Sequence, residues 1–187
     1  KMMQNAEVDT ILIGDSLGMG VQGHESTLPV TVEDMVYHTA NVARSNKHAL
    51  ILADLPFMSY VTLEDTIANA RKIMQAGAQV IKIEGGAELA DKVAALTAAG
   101  APICVHLGLT PQSVNVFGGY KVQGKTEDSD AKLMADVKAV VEAGAAIILL
   151  ECVPAALAKQ VTEAVNVPVI GIGAGADTDG QVLVMHD

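Results

Sequence analysis

Ala76-Gly-Ala-Gln-Val80-Ile-Lys-Ile-Glu84 ends one helical stretch and opens a strand-like run that stops at a carboxylate. Gly77 stands where a helix end takes a left-handed residue. Val80, Ile81 and Ile83 suit a strand buried on both faces of a parallel sheet. Side chains alternate along a strand, so Lys82 and Glu84 share a face. The pattern recurs: Ala99-Gly-Ala101 and Ala143-Gly-Ala145 also lead from a helix into an apolar run. A repeated helix–Gly–strand unit means βα modules of one sheet, not separate domains.

Working outward, strands are predicted at 10–14, 50–54, 80–84, 103–107, 147–151, 167–171 and 181–185. Helices lie between most of them. Thr31-Val-Glu-Asp34 and Thr62-Leu-Glu-Asp65 resemble capping boxes with Asp in place of Glu. Further helices are predicted at about 87–99, 130–143 and 154–164, the last opened by Pro154. Parallel strands with helical crossovers fit a doubly wound sheet or a (β/α)8 TIM barrel. The polar strand ends favour the barrel. A complete barrel runs to roughly 250 residues. The 187 residues therefore read as one barrel domain, 1–187, incomplete at both ends and lacking one strand and terminal helices.

Apolar residues make up 50% of the chain and charged residues 18%, enough for a core. Aromatics are only 3%, so aliphatic side chains must fill it. The net charge of −10 argues against nucleic acid and anionic membrane, which need a positive field. No apolar stretch approaches the ~18 residues of a spanning helix. The two cysteines are too few for a disulfide framework, and the cytoplasm is the expected compartment. Segments 18–29 and 108–130 are long for connectors, which reads as functional lids or as disorder. Val116, Phe117, Tyr120 and Val122 in the second predict that it packs on something.

Five runs end in ionisable residues: Asp15, Asp54, Glu84, His106 and Glu151. The carboxyl end of parallel strands is where active sites are built. Each residue has a plainer reading alone. Asp15 or Ser16 could cap a helix, Asp54 could sit in a turn, and His106 could be a core histidine. Their recurrence at one place in successive modules favours function, because bunched carboxylates repel unless they bind something. Asp15, Asp54 and Glu84 are hard oxygen donors that suit Mg²⁺. Cys104 and His106 share a strand face, but zinc lacks further ligands. Lys82 could hold a substrate carboxylate and Glu151 could move a proton, which together describe metal-stabilised enolate chemistry on a 2-keto acid. Gly171-Ile-Gly-Ala-Gly175 reads as a tight turn rather than a phosphate cradle.

The chain resembles the ketopantoate hydroxymethyltransferase family at these residues. The matching segments are Gly14-Asp-Ser-Leu-Gly-Met19, Gln22-Gly-His24, Thr27-Leu-Pro-Val-Thr31, Ala53-Asp-Leu-Pro-Phe-Met58, Lys82-Ile-Glu-Gly-Gly86 and His106-Leu-Gly-Leu-Thr-Pro-Gln112. Phe117-Gly-Gly-Tyr-Lys-Val-Gln-Gly124, Leu150-Glu-Cys-Val-Pro154, Gly171-Ile-Gly-Ala-Gly175 and Val184-Met-His-Asp187 continue the series. The resemblance implies a (β/α)8 barrel of the phosphoenolpyruvate/pyruvate-like superfamily, assembled as a homodecamer. It implies transfer of a hydroxymethyl group from 5,10-methylenetetrahydrofolate to 3-methyl-2-oxobutanoate, on the route to pantothenate and coenzyme A. It implies Asp15, Asp54 and Glu84 as Mg²⁺ positions, with Asp15 and Asp54 also touching the keto acid. Ser16 and Lys82 match substrate-binding positions, Glu151 the proton acceptor, and His106 a histidine beside the substrate. A lyase or phosphonomutase of the same superfamily is the main alternative; a catalytically silent scaffold is another.

Overall fold

The structure, a computed structural model, describes residues 2–119, 122–124 and 126–186. Tyr120 and Lys121, part of the matched 117–124 segment, lie outside the described residues. The described residues form two compact units, the first ending at Ile83 and the second starting at Glu84. In each, strand order follows chain order.

The first unit carries β1 (Thr10–Ile13), β2 (Leu50–Asp54) and all but the last residue of β3 (Val80–Glu84). All three run parallel, with Ile13 opposite Ala53 and Asp54 opposite Lys82. Helices Val32–Ser45 and Leu63–Gln75 make the crossovers. Their inward stripes include Met35, Thr39, Thr66, Ala70 and Ile73, and the sheet answers with Ile51, Leu52, Val80 and Ile81. Each large aliphatic side chain so buried contributes about 1.5–3 kcal/mol. The predicted capping box is present at Thr31. Asp34 N–H donates to the Thr31 hydroxyl at 3.1 Å, and Thr31 N–H donates to Asp34 Oδ2 at 3.0 Å. At Thr62 only the first half forms, with Asp65 N–H donating to the Thr62 hydroxyl.

The second unit carries β4 (Ile103–Gly108), β5 (Ile147–Glu151), β6 (Val169–Ile172) and β7 (Gly180–Gln181), again parallel. Helices Ala90–Ala98, Glu127–Glu142 and Ala155–Ala164 cover them with Val93, Leu96, Val137, Val140, Leu157 and Val161. The Glu127–Glu142 helix starts three residues earlier than predicted, because Thr126 caps it through Ser129.

Two expectations are corrected. The strand predicted at 181–185 shrinks to Gly180–Gln181. Pairing continues only as far as Val182 N–H, which donates to Gly171 O, and Leu183 remains 84% exposed. An apolar run extends as a strand only where something covers it. In the long segment after β4, Val116 is 87% exposed and Val122 44% exposed, so neither packs as expected. That segment instead forms the short turns Pro111–Ser113 and Val114–Phe117. Among the described residues, no helix is long and apolar enough to cross a membrane.

Candidate active site

In the first unit, Asp15, Asp54 and Lys82 come together, and all three are buried. The parallel register sets Lys82 opposite Asp54 across β2 and β3. Lys82 Nζ lies 2.8 Å from Asp54 Oδ1, and Asp15 N–H donates to Asp54 Oδ2 at 3.0 Å. Both oxygens of Asp54 therefore have a partner, which offsets the cost of burying the charge. Ser16 takes the N-cap position of Leu17–Gly20, but its side chain makes no capping hydrogen bond. The helix-cap reading of Ser16 is thus not borne out, and its hydroxyl is half-buried close to Gly14.

In the second unit, Glu84, His106 and Glu151 come together. His106 Nδ1 stands 3.3 Å from Glu84 Oε1, and Nε2 stands 3.4 Å from Glu151 Oε2. The imidazole thus stands between two carboxylates. Glu84 Oε2 accepts the Gln112 N–H at 3.0 Å. Glu84 and His106 are buried, whereas the Glu151 side chain keeps 22% of its surface open. The arrangement puts one reachable carboxylate beside an imidazole that a second carboxylate holds. A positioned, reachable carboxylate of this kind can take up or give a proton.

Sequence reasoning missed three contributors. Gln112 acts on Glu84 through its backbone, so no side-chain pattern could announce it. Gly108 has φ +90°, and a Cβ there would lie 2.4 Å from the Glu151 carbonyl oxygen. Cys152 has φ +50°, a left-handed conformation unusual for a residue with a Cβ. Burial pushes the Cys152 thiol up, and the Glu151 charge adds to the shift.

Among the described residues, no group of three or more His, Cys, Asp or Glu is gathered closely enough to hold a metal ion. Asp15 meets Asp54 through its backbone N–H, and His106 stands between Glu84 and Glu151. Of the Gly171–Gly175 stretch, read as a tight turn, Gly171 and Ile172 belong to β6 and the chain bends at Gly173 and Ala174, with Gly175 packed against Ala155.

A relative from Psychrobacter sp. (strain PRwf-1), named 3-methyl-2-oxobutanoate hydroxymethyltransferase, is 84% identical over 187 residues, covering 100% of this chain and 69% of its own. A relative of the same name from Acinetobacter baumannii (strain SDF) is 66% identical over 188 residues, covering 100% of this chain and 70% of its own. Among solved structures, 2,3-dimethylmalate lyase, a PEP mutase/isocitrate lyase superfamily member, gives a TM-score of 0.66 at 15% identity, covering 90% of this chain and 60% of that one. Oxaloacetate acetylhydrolase gives 0.67 at 12% identity, covering 91% and 61%. At such identities the likeness is one of fold, a (β/α) TIM barrel. The family model described as ketopantoate hydroxymethyltransferase matches residues 1–187. With that match over the full chain and close relatives sharing one transferase name, the chain belongs to the ketopantoate hydroxymethyltransferase family and is a transferase.

Proposed function

We propose that the chain transfers a hydroxymethyl group from 5,10-methylenetetrahydrofolate to 3-methyl-2-oxobutanoate, forming ketopantoate on the route to pantothenate and coenzyme A. Family membership and the relatives' names support the acceptor and the product. The single observation that carries the mechanism is Glu151, a partly open carboxylate held beside His106.

Asp15 and Asp54 fit Mg²⁺. Both are buried hard-oxygen donors, and Mg²⁺ is commonly held by one or two carboxylates, with substrate and water completing the shell. Bound there, the ion supplies positive charge that favours ionisation of a 2-keto acid. Glu84 is offered as a third metal position on the family likeness alone; its oxygens meet the Gln112 N–H and His106 Nδ1.

The other steps belong to the chain's own groups. Lys82, fixed by Asp54, offers its ammonium to the keto acid carboxylate, and Ser16 offers a hydroxyl. Glu151 takes the proton from C3 of the keto acid. Water supplies the hydroxyl oxygen: it adds to the one-carbon unit as the folate C–N bonds break, giving tetrahydrofolate and a formaldehyde carbonyl. The carbanion left at C3 forms the new C–C bond to that carbon, whose oxygen takes up the proton that Glu151 removed. His106 holds Glu151 in place and stands near the new hydroxyl. Exposed apolar side chains at Phe57, Met58, Val61, Leu63 and Ile67 support assembly into a homo-oligomer, a decamer in this proposal. Cys104 and Cys152 are free thiols, which supports the cytoplasm as compartment.

The test is exchange of the C3 proton of 3-methyl-2-oxobutanoate in D₂O, followed by NMR with and without Mg²⁺. Exchange that needs the ion and falls at least about 10²-fold in Glu151→Gln supports the proposal. A well-folded parent chain that does not exchange, even with tetrahydrofolate present, overturns it.

A further inference from the structure

Three non-glycine residues among the described ones have positive φ: Glu7, Met58 and Cys152. Of these, Cys152 directly follows a candidate site residue, Glu151. Its φ of +50° is unfavourable for any residue with a Cβ. Such a conformation persists only where the surroundings over-determine it.

The surroundings do so here. Glu151 O accepts the Leu109 N–H at 2.9 Å, Cys152 N–H donates to Ile172 O at 2.9 Å, and Cys152 O accepts the Gln123 N–H at 2.9 Å. Three separate stretches therefore grip two consecutive residues. Glycines make the grip possible. A Cβ on Gly108 would strike Glu151 O at 2.4 Å. A Cβ on Gly173, itself at φ +60°, would stand 3.2 Å from Cys152 Sγ. An extended Cys152 would carry the chain straight on from β5, turn its carbonyl away and forfeit the bond from Gln123 N–H, pulling on the end of β5 that Ile172 holds. The end of β5 would shift, and the Glu151 carboxylate would leave its place 3.4 Å from His106 Nε2.

We propose that Cys152 is a positioning residue for Glu151: its left-handed backbone, not its thiol, aims the carboxylate at His106. The inference deepens the proposed function and rests on Glu151 being the base. A small, unbranched side chain is tolerated because it fits against Gly173. A β-branched residue is excluded by its conformational preference.

The experiment compares Cys152→Gly, Cys152→Asn and Cys152→Val in the full chain with the parent and Glu151→Gln. C3 exchange, KM for the keto acid and thermal melting are read for each. Gly and Asn accept positive φ, so exchange in these variants is expected to fall by no more than about threefold. Cys152→Val is expected to lower kcat at least about tenfold with KM unchanged, the pattern of a displaced reacting group. If the Val variant melts below the assay temperature, Cys152→Ala replaces it, with a rate expected between those of Gly and Val. A folded Val variant exchanging like the parent overturns the proposal, as does an Ala variant matching Gly. Gly and Asn variants falling as far as Val also overturn it, because they would assign the task to the thiol. Melting separates this proposal from the base assignment. Cys152→Gly should melt above Cys152→Ala whether or not the parent exchanges, and the reverse order overturns the positioning proposal. A parent that fails to exchange, with Gly still melting above Ala, overturns the base assignment alone.

Discussion

Lys82 Nζ lies 2.8 Å from Asp54 Oδ1, with side-chain exposures of 4% and 2%. The pair is therefore desolvated, and removing either partner leaves an uncompensated buried charge. Lys82→Ala or Asp54→Ala is expected to lower unfolding free energy by about 3–5 kcal/mol. Urea denaturation of each variant measures it. A loss of under about 1 kcal/mol would show that water reaches the pair and that burial does not set its energy.

His106 stands between Glu84 and Glu151, at 3.3 and 3.4 Å. Replacing it with Leu leaves two carboxylates with no group between them. C3 exchange is expected to fall by about 10²-fold, because the base loses the group that holds it. Parent-like exchange in a folded His106→Leu chain would remove His106 from the mechanism.

The Thr31 hydroxyl and backbone N–H hold the Asp34 carboxyl below its ordinary value of 3.8. A depressed carboxyl contributes stability that is present above its unfolded value and lost as pH falls through the folded one. Asp34→Asn should therefore cost stability evenly at neutral pH, with the difference from the parent shrinking below about pH 4. Thr31→Ala, which removes the cap itself, should cost about 1 kcal/mol. Melting curves across pH test both, and a parent–variant difference that grows in acid would contradict the assignment.

Burial, with the Glu151 charge adding to it, pushes the Cys152 thiol above its ordinary 9.0. Its thiolate is then scarce at pH 8, and the thiolate is the reactive form. Reaction with Ellman's reagent at pH 8 should be slower than that of free cysteine and should rise steeply at higher pH. Cys104, fully buried, should react only on unfolding. Rapid labelling of Cys152 at neutral pH would contradict both its burial and the influence of Glu151.

Much of the fold is legible because its signals are local. Apolar runs of about five residues place β2, β3 and β5 at their observed bounds, and Gly77 and Gly144 close the helices before β3 and β5. Thr31 and Thr62 mark helix starts, since a cap needs only a residue three positions on. The strand at 181–185 fails for a non-local reason: its covering layer is not part of its own pattern. The candidate site is legible as a set of residues, because each ionisable group lies at or near the carboxyl end of its own strand: Asp54, Glu84 and Glu151 end theirs, Asp15 stands two residues beyond β1, and His106 two before the end of β4. Its wiring is not.

Sequence alone determined the parallel βα modules, the helix caps and the placing of Asp15, Asp54, Glu84, His106 and Glu151 at or near the carboxyl ends of strands, because spacing and alternation act over a few residues. Tertiary structure decided that Asp54 holds Lys82 and the Asp15 amide, that His106 bridges Glu84 and Glu151, and that Cys152 turns left-handed under Leu109, Gln123 and Ile172. Those partners lie far apart in the chain. They are chosen by strand register and by how closely backbones approach at Gly108 and Gly173, neither of which any short stretch of sequence encodes.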